Sequence, residues 1–296
     1  MTSEALPNIL PAPPENPRAE RSPAVSTALH VGLILASVLM LYPLLWMMSA
    51  AIRPGNEIFG STSLWPSTIS FGSFVRGWNA LSVPFGTFFL NSTIVAVLSV
   101  VGNVISCSLA AFAFARLEFW GRKFWFALML GTLMLPYHVV LIPQYILFLQ
   151  LGWVNTFLPL VVPKFLAHDA FFIFLMVQFF RGIPRELDEA AMMDGCSPWR
   201  IYYKIMLPLS MPVLATAAIF SFIWTWDDFF GPLIYLSDIR TYTVQLGLRS
   251  FVDATSESDW GGLFAMSILS LLPVFLFFLF FQRLLIEGIA TTGMKR

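Results

Sequence analysis

Glu189-Ala190-Ala191-Met192-Met193-Asp194-Gly195, with Ile205-Met206-Leu207-Pro208 following after a gap of nine residues, is the stretch on which the reading of this chain turns. It lies in the longest polar interruption between apolar segments in the second half of the sequence. Its chemistry predicts helix, turn, helix. Pro184 suits a first helical turn, where its missing N–H would be unpaired anyway. Glu186, Asp188 and Glu189 follow, where acidic groups favour the positive end of the helix dipole. Gly195 is placed to take the left-handed conformation that ends a helix. Ser197-Pro198 reads as an N-cap and a new first turn, and a second helix is expected from Trp199 to Leu207, running into Pro208 and Pro212. A short helix of mixed charge is thereby held outside the apolar segments. By itself it is either a plain connection between two membrane helices or an element presented to a partner.

The surrounding composition sets the class. Hydrophobic residues make up 57% of the chain and charged residues 11%, with a mean hydropathy of +0.76, whereas a soluble domain carries about a quarter charged residues. This is the composition of an integral membrane protein. The formal net charge is +0, so there is no electrostatic case for nucleic acid. Cys107 and Cys196 fall in an apolar segment and in the polar loop, with no metal-ligand spacing and no disulfide framework.

Residues 1–27 hold Pro7, Pro11, Pro13, Pro14, Pro17 and Pro23 and read as a disordered tail. The first apolar run is too long and starts too late for a signal peptide. Counting roughly 20 helical residues per bilayer crossing, residues 28–296 form one domain of six spans, at about 28–49, 88–115, 124–149, 157–180, 211–236 and 264–286, with the polar loop at 181–210. The expected fold is an all-α membrane protein of six transmembrane helices. Pro136 and Pro143 should bend the third span. The connection 50–87 carries Trp65, Phe71, Phe74 and Trp78, residue types that favour the membrane interface.

Basic residues set the orientation. With the N-terminus inside, the inner set is Arg18, Arg21, Arg116, Arg122, Lys123, Arg181, Arg185, Arg200, Lys204, Arg283, Lys295 and Arg296, against Arg53, Arg76, Arg240 and Arg249 outside. The excess puts both termini and the Glu189 loop in the cytoplasm of a cell whose plasma membrane this chain crosses.

Ionisable residues inside spans are costly and usually face a cavity or a partner. Lys164, His168 and Asp169 fall in the expected fourth span, and Asp227 and Asp228 in the fifth. Lys164 and His168, four apart, would share one helix face. These groups, with Trp224 and Trp226, suit the lining of a solute path: carboxylates accept hydrogen bonds from paired hydroxyls, and indoles pack on apolar ring faces. The structural reading stays open beside it, with Lys164 snorkelling outward or pairing with an Asp, and the tryptophans simply packing. No Gly-x-x-x-x-Gly-Lys-Ser/Thr loop is present, so ATP hydrolysis by this chain is not expected. No catalytic set, metal cluster or internal repeat is evident.

The Glu-Ala-Ala, three residues, Gly, nine residues, Ile, one residue, Leu-Pro pattern resembles the EAA loop of ABC-importer permeases. Leu135-Pro136-Tyr137, Ile142-Pro143-Gln144-Tyr145, Phe179-Phe180-Arg181-Gly182-Ile183-Pro184, Phe222-Ile223-Trp224-Thr225-Trp226-Asp227-Asp228-Phe229 and Thr291-Thr292-Gly293-Met294-Lys295 extend the likeness. They resemble carbohydrate importers related to the maltose system, of the MalG type, over about residues 28–296. Asp227 departs from the pattern, since many relatives have Asn after the Trp.

The resemblance implies a type I importer permease fold that moves a sugar by alternating access. It implies a heterodimer with a second permease, two ATPase subunits holding ATP and Mg, and an extracytoplasmic solute-binding protein. No cofactor is expected on this chain. Glu189, Ala190, Ala191, Asp194, Gly195, Ile205, Leu207 and Pro208 would form the ATPase-coupling element, and the segment after Glu287 is expected to reach the ATPase pair. Two rival readings are an importer for glycerol phosphate or another polar solute, and a self-sufficient ion-coupled transporter using Asp169, His168 and Asp227 as a relay.

Overall fold

The computed structural model describes residues 23–60, 63–253 and 259–293, with side chains described as far as Arg283. Most of the expected N-terminal tail, the basic residues Lys295 and Arg296, and the side chains expected to reach a partner after Glu287 lie outside the described residues. The chain divides into two units, residues 1–46 and 47–296. The boundary falls inside helix α1, Pro23–Ala51, a continuous apolar helix that includes Pro43.

In the second unit, the amphipathic helix α2 (Gly72–Asn79) leads into α3 (Phe85–Arg116), a helix of 32 residues. The buried positions of α3 repeat at three and four residues: Phe85, Phe88, Ser92, Val95, Ser99, Gly102, then Asn103, Cys107, Ala111 and Ala115. That spacing is one stripe of a 3.6-residue helix, and the stripe serves two cores in turn. Near its start, Phe85, Phe88 and Ala96 pack with Phe222, Trp226, Val244, Ala265 and Met266. Near its end, Cys107, Ala111, Phe112 and Ala115 pack with Phe172, Met176, Val177, Phe180, Ala191, Ile201 and Met206.

The third span is not a bent helix but a broken one. Helix α4 (Arg122–Thr132) and helix α5 (Tyr137–Gln150) meet at 100°. Pro136 stands at the N-cap of α5 in extended conformation. It disfavours helical geometry in Leu135 before it, so the chain turns there.

The fourth span is interrupted as well. A single turn, α6 (Leu158–Val161), passes into a 3-10 turn over Val162–Leu166, and Ala167 takes a left-handed φ of 53° before α7 (Ala170–Gly182) begins. The expectation that Lys164 and His168 share one helix face is therefore corrected: the helix ends between them. Gly102 of α3 permits this broken segment to approach, since a Cβ there would sit 2.7 Å from the Phe165 ring.

The polar loop holds α8 (Glu186–Met193) and α9 (Pro198–Ile201). The single helix expected from Trp199 to Leu207 is instead α9, a π-type turn over Tyr202–Met206, and α10 (Leu207–Leu209). Pro208 has no N–H to offer Lys204, and the widened turn lets the Leu207 N–H reach the Tyr202 carbonyl. Helix α11 (Met211–Trp226) then leaves at 77°.

The fifth span ends at Trp226, so Asp227 and Asp228 lie in the turn before α12 (Phe230–Tyr235) and not within a helix. Amphipathic α13 (Val244–Asp253) and the long apolar α14 (Trp260–Gly293) complete the order. By length and composition, segments 24–51, 85–116, 158–182 and 260–283 are each able to cross a bilayer, and the two bent pairs raise the number to six.

Candidate functional site: a braced helix and a cavity at three chain breaks

Helix α8 is short, and its two buried residues, Asp188 and Ala191, are spaced to face the bundle together. Glu189, Ala190, Met193 and Asp194 are exposed, Met193 at 88%. The helix ends as the sequence predicts: Gly195 has φ 75°, its N–H reaches the Met192 carbonyl at 3.0 Å, and the Cys196 N–H reaches Ala191 at 2.9 Å. This paired closure satisfies carbonyls that a helix end leaves open. Ser197 caps α9 by accepting from the Arg200 N–H at 3.4 Å.

A brace that charge counting does not reveal holds this element. Arg116, the last residue of α3, lies 3.2 Å from Asp188 through Nε, and both side chains are nearly closed to solvent. The Arg116 Nη2 also donates to the carbonyls of Phe180 and Ile183, at 2.8 and 2.7 Å. One guanidinium thus joins the end of α3, the C-terminus of α7 and the base of α8. Burial pushes the Asp188 carboxyl above its ordinary value, and Arg116 opposes that shift. Ile205 and Leu207 pack on the core beside this brace, whereas Pro208 is exposed.

The charged residues expected along a solute path gather at the breaks. Lys164 Nζ binds Asp169 Oδ2 at 2.9 Å, and His168 Nδ1 lies 3.8 Å from Oδ1 of the same carboxylate. Ser106 of α3 donates to the Lys164 carbonyl at 2.7 Å, fixing the unwound backbone. Asp228 Oδ1 accepts the N–H groups of Phe230 and Gly231, each at 3.1 Å. Asp227 meets Gln245 at 3.5 Å.

Two adjoining cavities connect these groups, Asp227 excepted. One, of about 240 Å³, is lined by Tyr137, Gln144, Lys164, His168, Asp228 and Tyr235, among others. The second, of about 350 Å³, shares Tyr137, Gln144 and His168 and adds Asp169. Residues from all three breaks, near 136, 168 and 228, therefore face one region. Broken helices leave backbone and side-chain polar groups free for a ligand. Tyr137, Gln144 and Tyr235 were not candidates on charge grounds. The clue in the sequence was Pro136, which places Tyr137 at a break.

The tryptophans separate. Trp224 is half exposed and packs on Phe171, Phe172 and Phe220. Trp226 is 1% exposed and donates its indole N–H to the Ser270 carbonyl at 3.0 Å, so it is packed in the core. Trp224, Asp227 and Trp226 line neither of the two cavities.

With its all-helical bundle, its interrupted spans and a helix braced outside them, the architecture is that of a membrane permease. The chain belongs to the family described as the binding-protein-dependent transport system inner membrane component, which it matches over residues 102–290. It is 36% identical over 269 residues to the probable ABC transporter permease protein YurM of Bacillus subtilis (strain 168), covering 91% of this chain and 88% of that protein. Against the arabinooligosaccharides transport system permease protein AraQ of Halalkalibacterium halodurans it is 32% identical, covering 94% and 99%. Against the trehalose/maltose transport system permease protein MalG of Thermococcus litoralis it is 32% identical, covering 90% and 96%. Its fold is similar to that of a chain in the crystal structure of a bacterial ABC transporter involved in import of the acidic polysaccharide alginate, with a TM-score of 0.77, 24% identity, and coverage of 88% and 95%.

Proposed function

We propose that this chain is one permease of an ATP-driven importer that carries a sugar into the cytoplasm by alternating access. It pairs with a second permease, and two ATPase subunits bind ATP and Mg and hydrolyse the ATP, this chain holding neither. A solute-binding protein delivers the cargo on the outer side. Both termini and α8 lie in the cytoplasm of this multi-pass inner-membrane protein, on the side where basic residues accumulate.

The observation that carries the reading is α8 itself. It exposes Glu189, Ala190 and Met193 while Asp188 fastens its base to α3. A helix held this way transmits displacement as a rigid lever. Glu189 and Asp194 offer charge-assisted hydrogen bonds to an ATPase, and Ala190 permits close approach.

A sugar agrees with the relatives named for arabinooligosaccharides and for trehalose/maltose, and with the charge of the cavity. Lys164 is committed to Asp169, and Asp228 adds another carboxylate. An anion such as glycerol phosphate would meet a net negative lining on this chain. The test is to express the chain with its neighbouring transport genes and follow uptake of labelled oligosaccharides. Glu189→Lys should abolish uptake while the protein still reaches the membrane. Uptake that proceeds from this chain alone, driven by an ion gradient, would refute the assignment.

A further inference from the structure

Helices α3 and α4 are joined by only five residues, 117–121. So short a turn stays at the boundary of the bilayer it leaves. The turn and the start of α4 are strongly aromatic: Trp120 is 91% exposed, Phe124 64% and Trp125 47%. Beside these rings stand Arg122 and Lys123. The Arg122 Nη1 donates to the Leu117 carbonyl at 2.9 Å, holding its guanidinium over the turn, and Lys123 is exposed. Both cations line an open cleft of about 520 Å³ with Phe124 and Glu118. Glu118 leaves the rim with one net positive charge.

We infer that this cleft binds the phosphodiester headgroup of an anionic phospholipid in the leaflet that carries the Glu189 loop. Indole rings settle at the headgroup layer, and a cation at the anionic cytoplasmic surface adds electrostatic attraction. The rings flank the acyl-chain boundary while Lys123 and Arg122 meet the phosphate. A headgroup seated here bears on the coupling element, because Arg181 of α7 stacks over the Phe126 ring of α4 at 5.2 Å. The depth of α4 is thus felt at the end of α7, where Arg116 holds the base of α8.

The leaflet assignment rests on the orientation proposed above, but the cleft does not. Reversed insertion would be detected by protease access to the termini, and would leave headgroup preference intact because both leaflets have headgroups. The experiment uses the whole importer complex in nanodiscs of phosphatidylcholine, with and without phosphatidylglycerol. ATP hydrolysis and the phosphatidylglycerol retained through purification, counted by mass spectrometry, are the readouts. Phosphatidylglycerol should be enriched around the wild type and should raise its hydrolysis rate. Lys123→Gln should weaken that enrichment about five-fold, and Trp120→Ala should lower it too, with the complex intact in both. No enrichment in the wild type, or full enrichment in both variants, overturns the inference. So does loss of the ATPase from either variant, which would make the turn a protein contact.

Discussion

Arg116 and Asp188 stand 72 positions apart in the chain and 3.2 Å apart in space, at the junction where α3, α7 and α8 meet. Neither side chain has much access to water, so the ion pair is desolvated and each partner depends on the other. Removing one charge leaves its partner buried alone, which costs about 3–5 kcal/mol. Arg116→Met should therefore lower thermal stability markedly, and Asp188→Asn less, because Arg116 then keeps its hydrogen bonds to the Phe180 and Ile183 carbonyls.

A pH dependence follows from the same carboxyl. Its folded-state value is raised by burial, so this group holds more protons folded than unfolded, and its contribution to stability falls as pH rises. Without Arg116 only the more weakly acting Arg185 opposes that shift. The deficit of Arg116→Met relative to wild type should shrink as pH falls from about 7 to about 5, as measured by melting curves in detergent. A deficit that grows on acidification would contradict the raised value.

Gly195 is left-handed with open space where a Cβ would go. Gly195→Ala therefore introduces backbone strain without a clash, about 1–2 kcal/mol. Gly195→Pro also removes the N–H that closes on Met192. Co-purification of the ATPase should decline from wild type to Ala to Pro. Equal recovery of all three would show that the helix end does not position the docking face.

Gly102 and Gly131 make a matched pair. A Cβ at Gly102 meets the Phe165 ring at 2.7 Å and the Lys164 backbone at 3.1 Å, whereas Gly131 has nothing within 4 Å. Gly102→Ala should destabilise by about 1–3 kcal/mol, and Gly131→Ala should be neutral or stabilising by up to about 1 kcal/mol. Fluorescence-detected melting distinguishes them.

Lys164→Met leaves Asp169 without its 2.9 Å partner at the break in the fourth span. Uptake should fall at least about ten-fold, and Lys164→Met with Asp169→Leu should recover part of it, since removing a whole pair costs less than orphaning one member. A double variant worse than the single would mean that Asp169 meets solute directly.

Much of this protein was legible in order along the chain. Apolar runs of bilayer length, the prolines and Gly195 act through local rules, namely hydropathy, a missing N–H, and freedom at positive φ. They foretold an all-helical chain with apolar runs long enough to cross a bilayer, and the closure of α8 at Gly195. Three things were decided only in three dimensions. Pro136 announced a bend, but a turn of 100° depends on what α4 and α5 pack against. Trp224 and Trp226 are two residues apart in near-identical surroundings, yet one lies half exposed and the other is sealed against Ser270. The partner of Arg116 was hidden because a buried ion pair joins residues that no periodicity relates. Local chemistry fixes backbone conformation, while desolvation of a charge or a ring is set by neighbours that arrive from distant parts of the chain.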